Sequence, residues 1–281
     1  MEPEGRRVRS ELCIHDLGTG ETSVLLTHEG IIEAPNWHAD GVLIVNGDGR
    51  LFQVPLGAPA LEEIPVPGVG RLNNDHGISP DGRWLAVSAH GVEKKSSIWI
   101  MPLEGGAPRR VTPQVPSWWH GWSPNGARLA YVGVRREGGP VSLYTCALDG
   151  SDEVCLAEDF DHIDGPDYTP DGEWIWFNGE TGGRVDLWRI RPDGTGRERM
   201  THGDTVDWFP HPSPDGSQVL YLAYPPATQG PPAMLDVSLR VMPAEGGEGR
   251  EVLRLLGGQG TINVPCWAPD GRRFAFMRFA A

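Results

Sequence analysis

The chain has 281 residues, enough to bury a large core as one all-β domain or as two smaller domains. Its net charge of −14 and its lack of a basic stripe argue against a nucleic-acid partner and against an acidic membrane surface. No run of 18 apolar residues occurs, so we expect no transmembrane helix.

The first ten residues, MEPEGRRVRS, are charged and lack the apolar region of a secretory signal, which predicts a cytoplasmic protein. The first predicted element follows them. It is the hairpin ELCIHDLGTGETSVLLT (11–27), in which two apolar-alternating runs flank a Gly-containing turn. Hairpins of this type occur six times, for example as SIWIMPLEGGAPRRVT and DLWRIRPDGTGRERMT. We name their two strands c and d.

A second type of hairpin contains a bend that ends in Asp-Gly or Asn-Gly, a sequence typical of tight turns. The six bends are WHADG, ISPDG, WSPNG, YTPDG, PSPDG and WAPDG. Their Asp or Asn residues are 41 to 46 residues apart, except for a last interval of 55. This period lies in the range of propeller blades. The flanking runs, such as RLAYVGV and EWIWFNG, predict strands, which we name a and b.

The order of the two hairpin types predicts how the ring closes. The first c/d hairpin precedes every a/b hairpin, and the last a/b hairpin, VPCWAPDGRRFAFMRF, ends the chain. The N-terminal strands c and d are therefore expected to complete the sheet begun by the C-terminal strands a and b. Such a closure leaves no unpaired edge within that blade. The sequence predicts an all-β, six-bladed β-propeller of four-stranded blades, as one domain over residues 1–281.

The repeat resembles that of TolB-like propellers. Dipeptidyl-peptidase propellers and oligogalacturonate lyases have the same kind of repeat. The segments that carry the likeness to single-domain bacterial TolB-like proteins are EAPNW, NNDHGISPDG, WHGWSP, DGPDYTPDG, DWFPHPSPDG and GGQGT. The resemblance covers essentially the whole chain. It implies the fold rather than one function, because propellers include enzymes, binding proteins and scaffolds. By resemblance to oligogalacturonate lyases, it also suggests the channel mouth as the place for a site.

Strand a lines the central channel of a propeller, so the residues before each bend are expected around one mouth. A plain structural repeat has a proline and an aromatic residue there to pack between blades, but in this chain polar and ionisable groups interrupt that pattern in several blades. The residues that we select as a candidate site are Glu33, Asn74, Asp75, His76, Trp118, Trp119, His120, Asp164, Asp207, Trp208, His211 and Gln259.

Five of these residues are predicted to be catalytic. His76 and His120 occupy the same repeat position in adjacent blades and are expected to approach each other across the channel. Together with Asp164, Asp207 or His211, these two histidines would form either an acid/base pair or a metal site. For the metal site we take His76, His120 and His211 as ligands of Mn, Ca or Zn. The alternative is that these polar groups hold water or bond the backbone of the next blade.

The remaining residues are predicted to bind a substrate. Trp118, Trp119 and Trp208 offer flat faces for a sugar ring, or else pack between blades. Polar groups for hydroxyls come from Glu33, Asn74, Asp75 and Gln259. The insertion YPPATQGPPAMLD (224–236) is expected near the same mouth, as a lid or as a tolerated surface loop.

Two classes of function remain, since no Gly-x-Ser-x-Gly, P-loop or His-Glu-x-x-His motif is present. The first is a carbohydrate-active hydrolase or lyase acting on a small sugar-like substrate, with or without a metal. The second is a non-catalytic TolB-like propeller that binds a peptide or protein segment. An enzyme predicts a bound metal or a deep, polar, closed pocket, and a binding module predicts a wide mouth with an exposed apolar patch. A scaffold with an ordered-water channel is a third, weaker alternative.

Overall fold

The computed structural model describes residues 8–91 and 94–280. Within these ranges all regular secondary structure is β, and no helix is long and apolar enough to cross a membrane. The first two strands, β1 (Arg9–Asp16) and β2 (Thr22–Glu29), form the predicted N-terminal hairpin. Five four-stranded antiparallel sheets follow along the chain, each with its first strand innermost at the channel and its last strand outermost.

The five sheets are blades 1 to 5. Blade 1 contains β3 (Glu33–His38), β4 (Val42–Gly47), β5 (Arg50–Pro55) and β6 (Glu62–Ile64). Blade 2 contains β7 (Arg71–Ile78), β8 (Trp84–His90), β9 (Ser96–Pro102) and β10 (Arg109–Arg110). Blade 3 contains β11 (Ser117–Trp122), β12 (Arg128–Gly133), β13 (Ser142–Ala147) and β14 (Val154–Ala157). Blade 4 contains β15 (His162–Tyr168), β16 (Ile175–Thr181), β17 (Arg184–Ile190) and β18 (Glu198–Arg199). Blade 5 contains β19 (Val206–Pro212), β20 (Gln218–Tyr224), β21 (Leu235–Pro243) and β22 (Arg250–Gly257).

The sixth blade closes the ring with strands from both ends of the chain, as predicted. The last strand, β23 (Arg273–Ala280), pairs with β1, and the sheet has the order β2-β1-β23. Arg278 Nε also donates to Glu11 Oε2 at 2.6 Å across this junction. The innermost position is occupied by 261–268, which joins β23 through an isolated Trp267–Phe274 bridge. This segment is irregular partly because Pro265 has no N–H to donate to a ladder.

The repeated bends are closed by their own side chains. Ser79, Thr169 and Ser213 each donate a hydroxyl to Oδ1 of the Asp two residues later, at 2.6 Å. The glycine that ends each bend has a φ between +67° and +76°, a conformation that favours glycine. The bend serines are therefore turn residues and not nucleophiles.

The hydrophobic core lies between neighbouring blades. The cluster between blades 2 and 3 is representative, with Ala86 and Ile98 on one side and Trp119 and Tyr131 on the other. All four side chains are fully buried or nearly so. Because the apolar side chains pack between neighbouring sheets, polar side chains of the innermost strands line the channel.

Each innermost strand of blades 1 to 5 contains a β-bulge, and the bulges differ between blades. In β11, Trp119 pairs with Tyr131 and Gly121 with Ala130, so His120 between them has no partner. In β7, Leu72 pairs with Ala89 and His76 with Val87. The three residues 73–75 therefore lie opposite the single residue between Val87 and Ala89. A bulge changes the direction in which its side chains point. His120 and Asp75 are bulge residues, whereas His76 is back in the ladder.

Candidate functional site

A pocket of about 320 Å³ lies at the predicted channel mouth. Blades 2, 3 and 4 supply most of its wall, and one residue before the closing blade completes it. Predicted residues that line it are Asn74, Asp75, Trp118, His120, Asp164 and Gln259, and other lining residues include Asn73, His90 and His162. The structure therefore brings together half of the twelve predicted site residues.

The centre of the pocket is a close ionic contact between blades 3 and 4. His120 Nε2 lies 2.8 Å from Asp164 Oδ1, and the imidazole is 3% exposed. The effect of Asp164 on His120 is chiefly one of charge. Burial acts to lower the pKa of His120, but the carboxylates of Asp164, Asp75 and Asp167 outweigh it and raise that pKa. Burial acts to raise the pKa of Asp164, but the charge of His120 prevails and lowers it.

Asp75 is the second acid of the pocket and is held by two amides. Asn263 Nδ2 donates to Asp75 Oδ1 at 2.8 Å, and Asn73 Nδ2 donates to Asp75 Oδ2 at 2.7 Å. Burial raises the pKa of Asp75 to about 6, helped by the charge of Asp164 and opposed by His120 and the two amides. The predicted residue Glu33 does not line the pocket, but burial, together with the charge of Asp75, raises its pKa to about 6. Near neutral pH the pocket therefore carries more negative than positive charge.

His211 and Asp167 form a second buried pair that does not line the pocket. His211 Nδ1 lies 3.0 Å from Asp167 Oδ2, and His211 Nε2 donates to the Ile262 carbonyl at 2.6 Å. Because Nε2 uses its hydrogen on the Ile262 carbonyl, a hydrogen bond between Nδ1 and Asp167 Oδ2 needs a proton on one of these two atoms. Burial raises the pKa of Asp167 against the opposing effect of His211. The pair joins blades 4 and 5 to the segment 261–268.

The structure does not bring His76 to the pocket. Its Nε2 lies 3.3 Å from the Ile44 carbonyl in blade 1, and the side chain is 1% exposed. Burial lowers the pKa of His76 to about 4, against the opposing effect of the Ile44 and Ala34 carbonyls, so the ring is neutral near pH 7. The different bulge in β7 explains why His76 and His120 point differently from one repeat position.

Three further candidates also lie away from the pocket. Trp119 is fully buried and packs against Gly77, where a Cβ would meet its ring at 2.1 Å. Trp208 is 1% exposed and packs against His162 and Phe209. Asp207 lines a different groove, between blades 4 and 5. Burial raises the pKa of Asp207 to about 6, against the hydroxyls of Thr205 and Thr201.

The predicted metal ligands do not converge. His76 faces the Ile44 carbonyl, His120 faces Asp164, and His211 is engaged by Asp167 and the Ile262 carbonyl. Among the residues that the structure describes, no three His, Cys, Asp or Glu side chains stand close enough to hold a metal ion. The donor set therefore does not fit the proposed divalent metal, and we derive no chemistry through one.

The insertion 224–236 packs beside the pocket and places one of its residues. The Pro232 carbonyl accepts hydrogen bonds from the Tyr224 hydroxyl at 2.9 Å and from the Gln259 N–H at 3.2 Å. Gly258 is required at this contact because a Cβ would lie 2.0 Å from the Pro232 oxygen. The loop thus fixes Gln259 at the rim. A lid motion stays a prediction.

Asn263 does not line the pocket but holds its Asp75 carboxylate, and the sequence prediction missed it. It lies seven residues before the Asp of its bend, as do Glu33, Asn74 and Asp164 in their own repeats. A strict alignment of the six bends would have selected it. Its side chain also donates to the Asn74 carbonyl at 3.2 Å, so it joins the closing segment to blade 2.

Comparison with known proteins agrees with this architecture. The model of the TolB beta propeller domain (PD40) matches residues 77–229, which is more than half of the chain. The chain belongs to the TolB β-propeller family. An uncharacterised protein of Agrobacterium fabrum is 40% identical over 277 residues, covering 98% of this chain and 94% of that protein. A solved Agrobacterium tumefaciens structure described under the TolB name is also 40% identical, covers 99% of this chain and all of that one, and superposes with a TM-score of 0.94.

The expected likeness to lyase propellers is present at the level of the fold. An oligogalacturonate lyase solved in complex with manganese superposes with a TM-score of 0.56 at 16% identity, over 88% of this chain and 67% of that one. At this identity the likeness establishes the propeller architecture alone. It carries no catalytic residue or metal over to this chain.

Proposed function

We propose that this TolB-family propeller is a non-catalytic binding module whose mouth pocket takes a cationic, donor-rich segment of a peptide. The observation that carries the proposal is the pair of carboxylates, Asp75 and Asp164, set against the single imidazolium of His120. An ammonium or guanidinium group entering this pocket would balance the excess negative charge. Charged partners in a partly buried site interact more strongly than they do in water.

The size and lining of the pocket support a chain segment as the ligand. A volume of about 320 Å³ accommodates one or two side chains but not a folded surface. The amides of Asn73, Asn74 and Gln259 can donate to and accept from a peptide backbone. The exposed large hydrophobic residues in the described ranges are Val24 and Val154, which lie on outermost strands and not at the mouth. An exposed apolar patch was expected of a binding module, but the mouth is lined mainly by polar groups. We therefore propose that recognition relies on polar contacts.

A peptide-display experiment tests this proposal. A library of random short peptides is selected on the immobilised protein, and the affinity of an enriched sequence is measured by calorimetry. We expect Lys or Arg to be enriched at one position. Asp75→Asn should weaken binding roughly tenfold, equivalent to one charge-assisted hydrogen bond. Binding should also weaken as the pH falls through about 6, because Asp75 then gains a proton and the pocket loses negative charge.

The matched control is Asp149→Asn, which removes an exposed turn carboxylate that does not line the pocket. It should leave the affinity of the selected peptide unchanged. Enrichment of acidic peptides, or equal affinities of wild type and Asp75→Asn, would contradict the proposal.

A second candidate function is acid/base catalysis on a sugar-like substrate. One observation favours it: the pKa of Asp75 is raised to about 6 while that of Asp164 is lowered, the division of roles found in paired catalytic carboxyls. Trp118, half-buried at the pocket wall, would supply the sugar platform. Two results together would establish this function instead. The protein would form new reducing ends or unsaturated products from neutral or acidic oligosaccharides, and Asp75→Asn would abolish that activity. A cytoplasmic location also stays a prediction.

A further inference from the structure

One carboxylate oxygen of the mouth pocket is left without a partner by the fold. Oδ1 of Asp164 contacts both His120 Nε2, at 2.8 Å, and the Gly165 N–H, at 3.0 Å. Oδ2 of Asp164 receives no hydrogen bond from the residues that the structure describes, and the side chain is 13% exposed at the pocket wall. This oxygen is therefore open to a donor that enters the pocket.

Two side-chain amides line the same pocket, those of Asn74 and Gln259. Both residues are partly exposed, and within 8–91 and 94–280 neither side chain makes a hydrogen bond. The backbone N–H of Gln259 bonds to the Pro232 carbonyl at 3.2 Å, which fixes its position at the rim. The pocket thus offers three separated acceptors, one carboxylate oxygen and two amide oxygens.

An accessible aromatic ring forms another part of the wall. Trp118 lines the pocket and is half-buried, whereas Trp119 and Trp208 are fully buried or nearly so. Val132, which pairs with Trp118 in the ladder, also lines the pocket. The face of a tryptophan attracts a cation, and a planar guanidinium can stack on it.

The carboxylates of the pocket are already partly compensated, which favours a delocalised cation. Asp164 lies against His120, and both oxygens of Asp75 accept hydrogen bonds from amides. An ammonium is a compact, strongly hydrated charge, so it needs a concentrated negative group in exchange for its water. A guanidinium is more weakly hydrated and spreads five N–H donors over a plane. Separated acceptors beside a flat ring suit the guanidinium.

We propose that the mouth pocket selects the guanidinium of an arginine side chain over the ammonium of a lysine, with Trp118 as the residue that determines this specificity. The inference rests on the proposed peptide-binding function and narrows its ligand. The guanidinium donates to Asp164 Oδ2 and to the amide oxygens of Asn74 and Gln259, while its face lies on the indole of Trp118. The volume of about 320 Å³ accommodates such a side chain.

The test is an NMR titration of the isotope-labelled protein at neutral pH. The amide resonance of Gly165 is the reporter, because its N–H donates to Asp164 Oδ1. The probes are N-acetylargininamide, N-acetyllysinamide and N-acetylcitrullinamide, the last of which has the shape of the arginine probe without its charge. We expect the arginine probe to bind roughly tenfold more tightly than the lysine probe, and the citrulline probe to bind more weakly than either.

Variants of Trp118 separate stacking from charge. Trp118→Leu removes the flat ring and should lower the affinity for the arginine probe to that for the lysine probe. Trp118→Phe keeps a flat ring and should retain most of the preference for arginine. Asp149→Asn, outside the pocket, should change neither affinity.

The outcomes distinguish this inference from the proposed function. If the lysine probe bound as tightly as the arginine probe, or more tightly, the selectivity would be wrong while a cation-binding pocket would stand. A preference for arginine that survived in Trp118→Leu would likewise overturn the role of Trp118 and leave the proposed function intact. If the citrulline probe bound as well as the two cations, or if none of the probes shifted the Gly165 resonance, both proposals would be contradicted.

Discussion

Replacing Trp119 by alanine is expected to lower the free energy of unfolding by about 3–5 kcal/mol, the usual result of deleting a fully buried aromatic side chain. The ring is 0% exposed and fills the space above Gly77 between blades 2 and 3. Its partner Trp122 lies 6.4 Å away between ring centroids. Urea denaturation at neutral pH measures the loss.

The neighbouring Trp118 supplies the control for that substitution. It lines the mouth pocket and is only half-buried. Trp118→Ala should cost clearly less than Trp119→Ala, because part of the Trp118 ring already faces the pocket and less apolar surface is lost. If the two alanine variants lost the same stability, the assignment of Trp119 to the core and Trp118 to the pocket would be wrong.

Asp164→Ala should destabilise the protein by about 2–3 kcal/mol, since it removes the charged partner of a buried imidazolium. His120 would then remain buried with only the more distant Asp75 and Asp167 to favour its charged form. The loss should grow as the pH is lowered, because His120 binds a proton more readily there and has lost its nearest counter-charge. Denaturation curves of wild type and variant at several pH values measure this difference.

The exposed Asp193, in a turn of the same blade, is the reference for that experiment. Asp193→Ala removes only local turn hydrogen bonds and should cost less than about 1 kcal/mol. An Asp164→Ala variant no less stable than Asp193→Ala would mean that the contact with His120 contributes nothing to the fold.

The architecture could be predicted from the sequence because its signals are local and repeated. Each bend carries its own glycine at positive φ, and the order of the hairpins at the two ends specifies the closure between β1 and β23. Neither feature requires knowledge of distant contacts. The mouth as the location of a polar pocket follows from the same repeat, since every innermost strand brings the residues before its bend to one rim.

The orientation of individual side chains was predicted less well, because the bulges are not visible in the pattern. His76 and His120 share a repeat position, yet only His120 is a bulge residue that points into the pocket. Their position before the bend also placed Asp207 and Trp208 at the mouth, whereas the structure has one in the inter-blade groove and the other in the core. Asn263 was missed because its segment is irregular and its repeat position was not compared with the others.

The protonation of His120 tests the electrostatic account of the pocket most directly, because a charged imidazole beside Asp164 determines how much negative charge is left for a cationic ligand. An NMR titration of its ring nitrogens measures this. We predict a pKa above the ordinary histidine value of about 6.5, and a decrease of that pKa in Asp164→Asn. Because the folded-state pKa is raised, the stability from the pair should be present at low pH and lost as the pH rises through that pKa. A His120 that titrates below the ordinary value, or is unaffected by Asp164→Asn, would contradict the account.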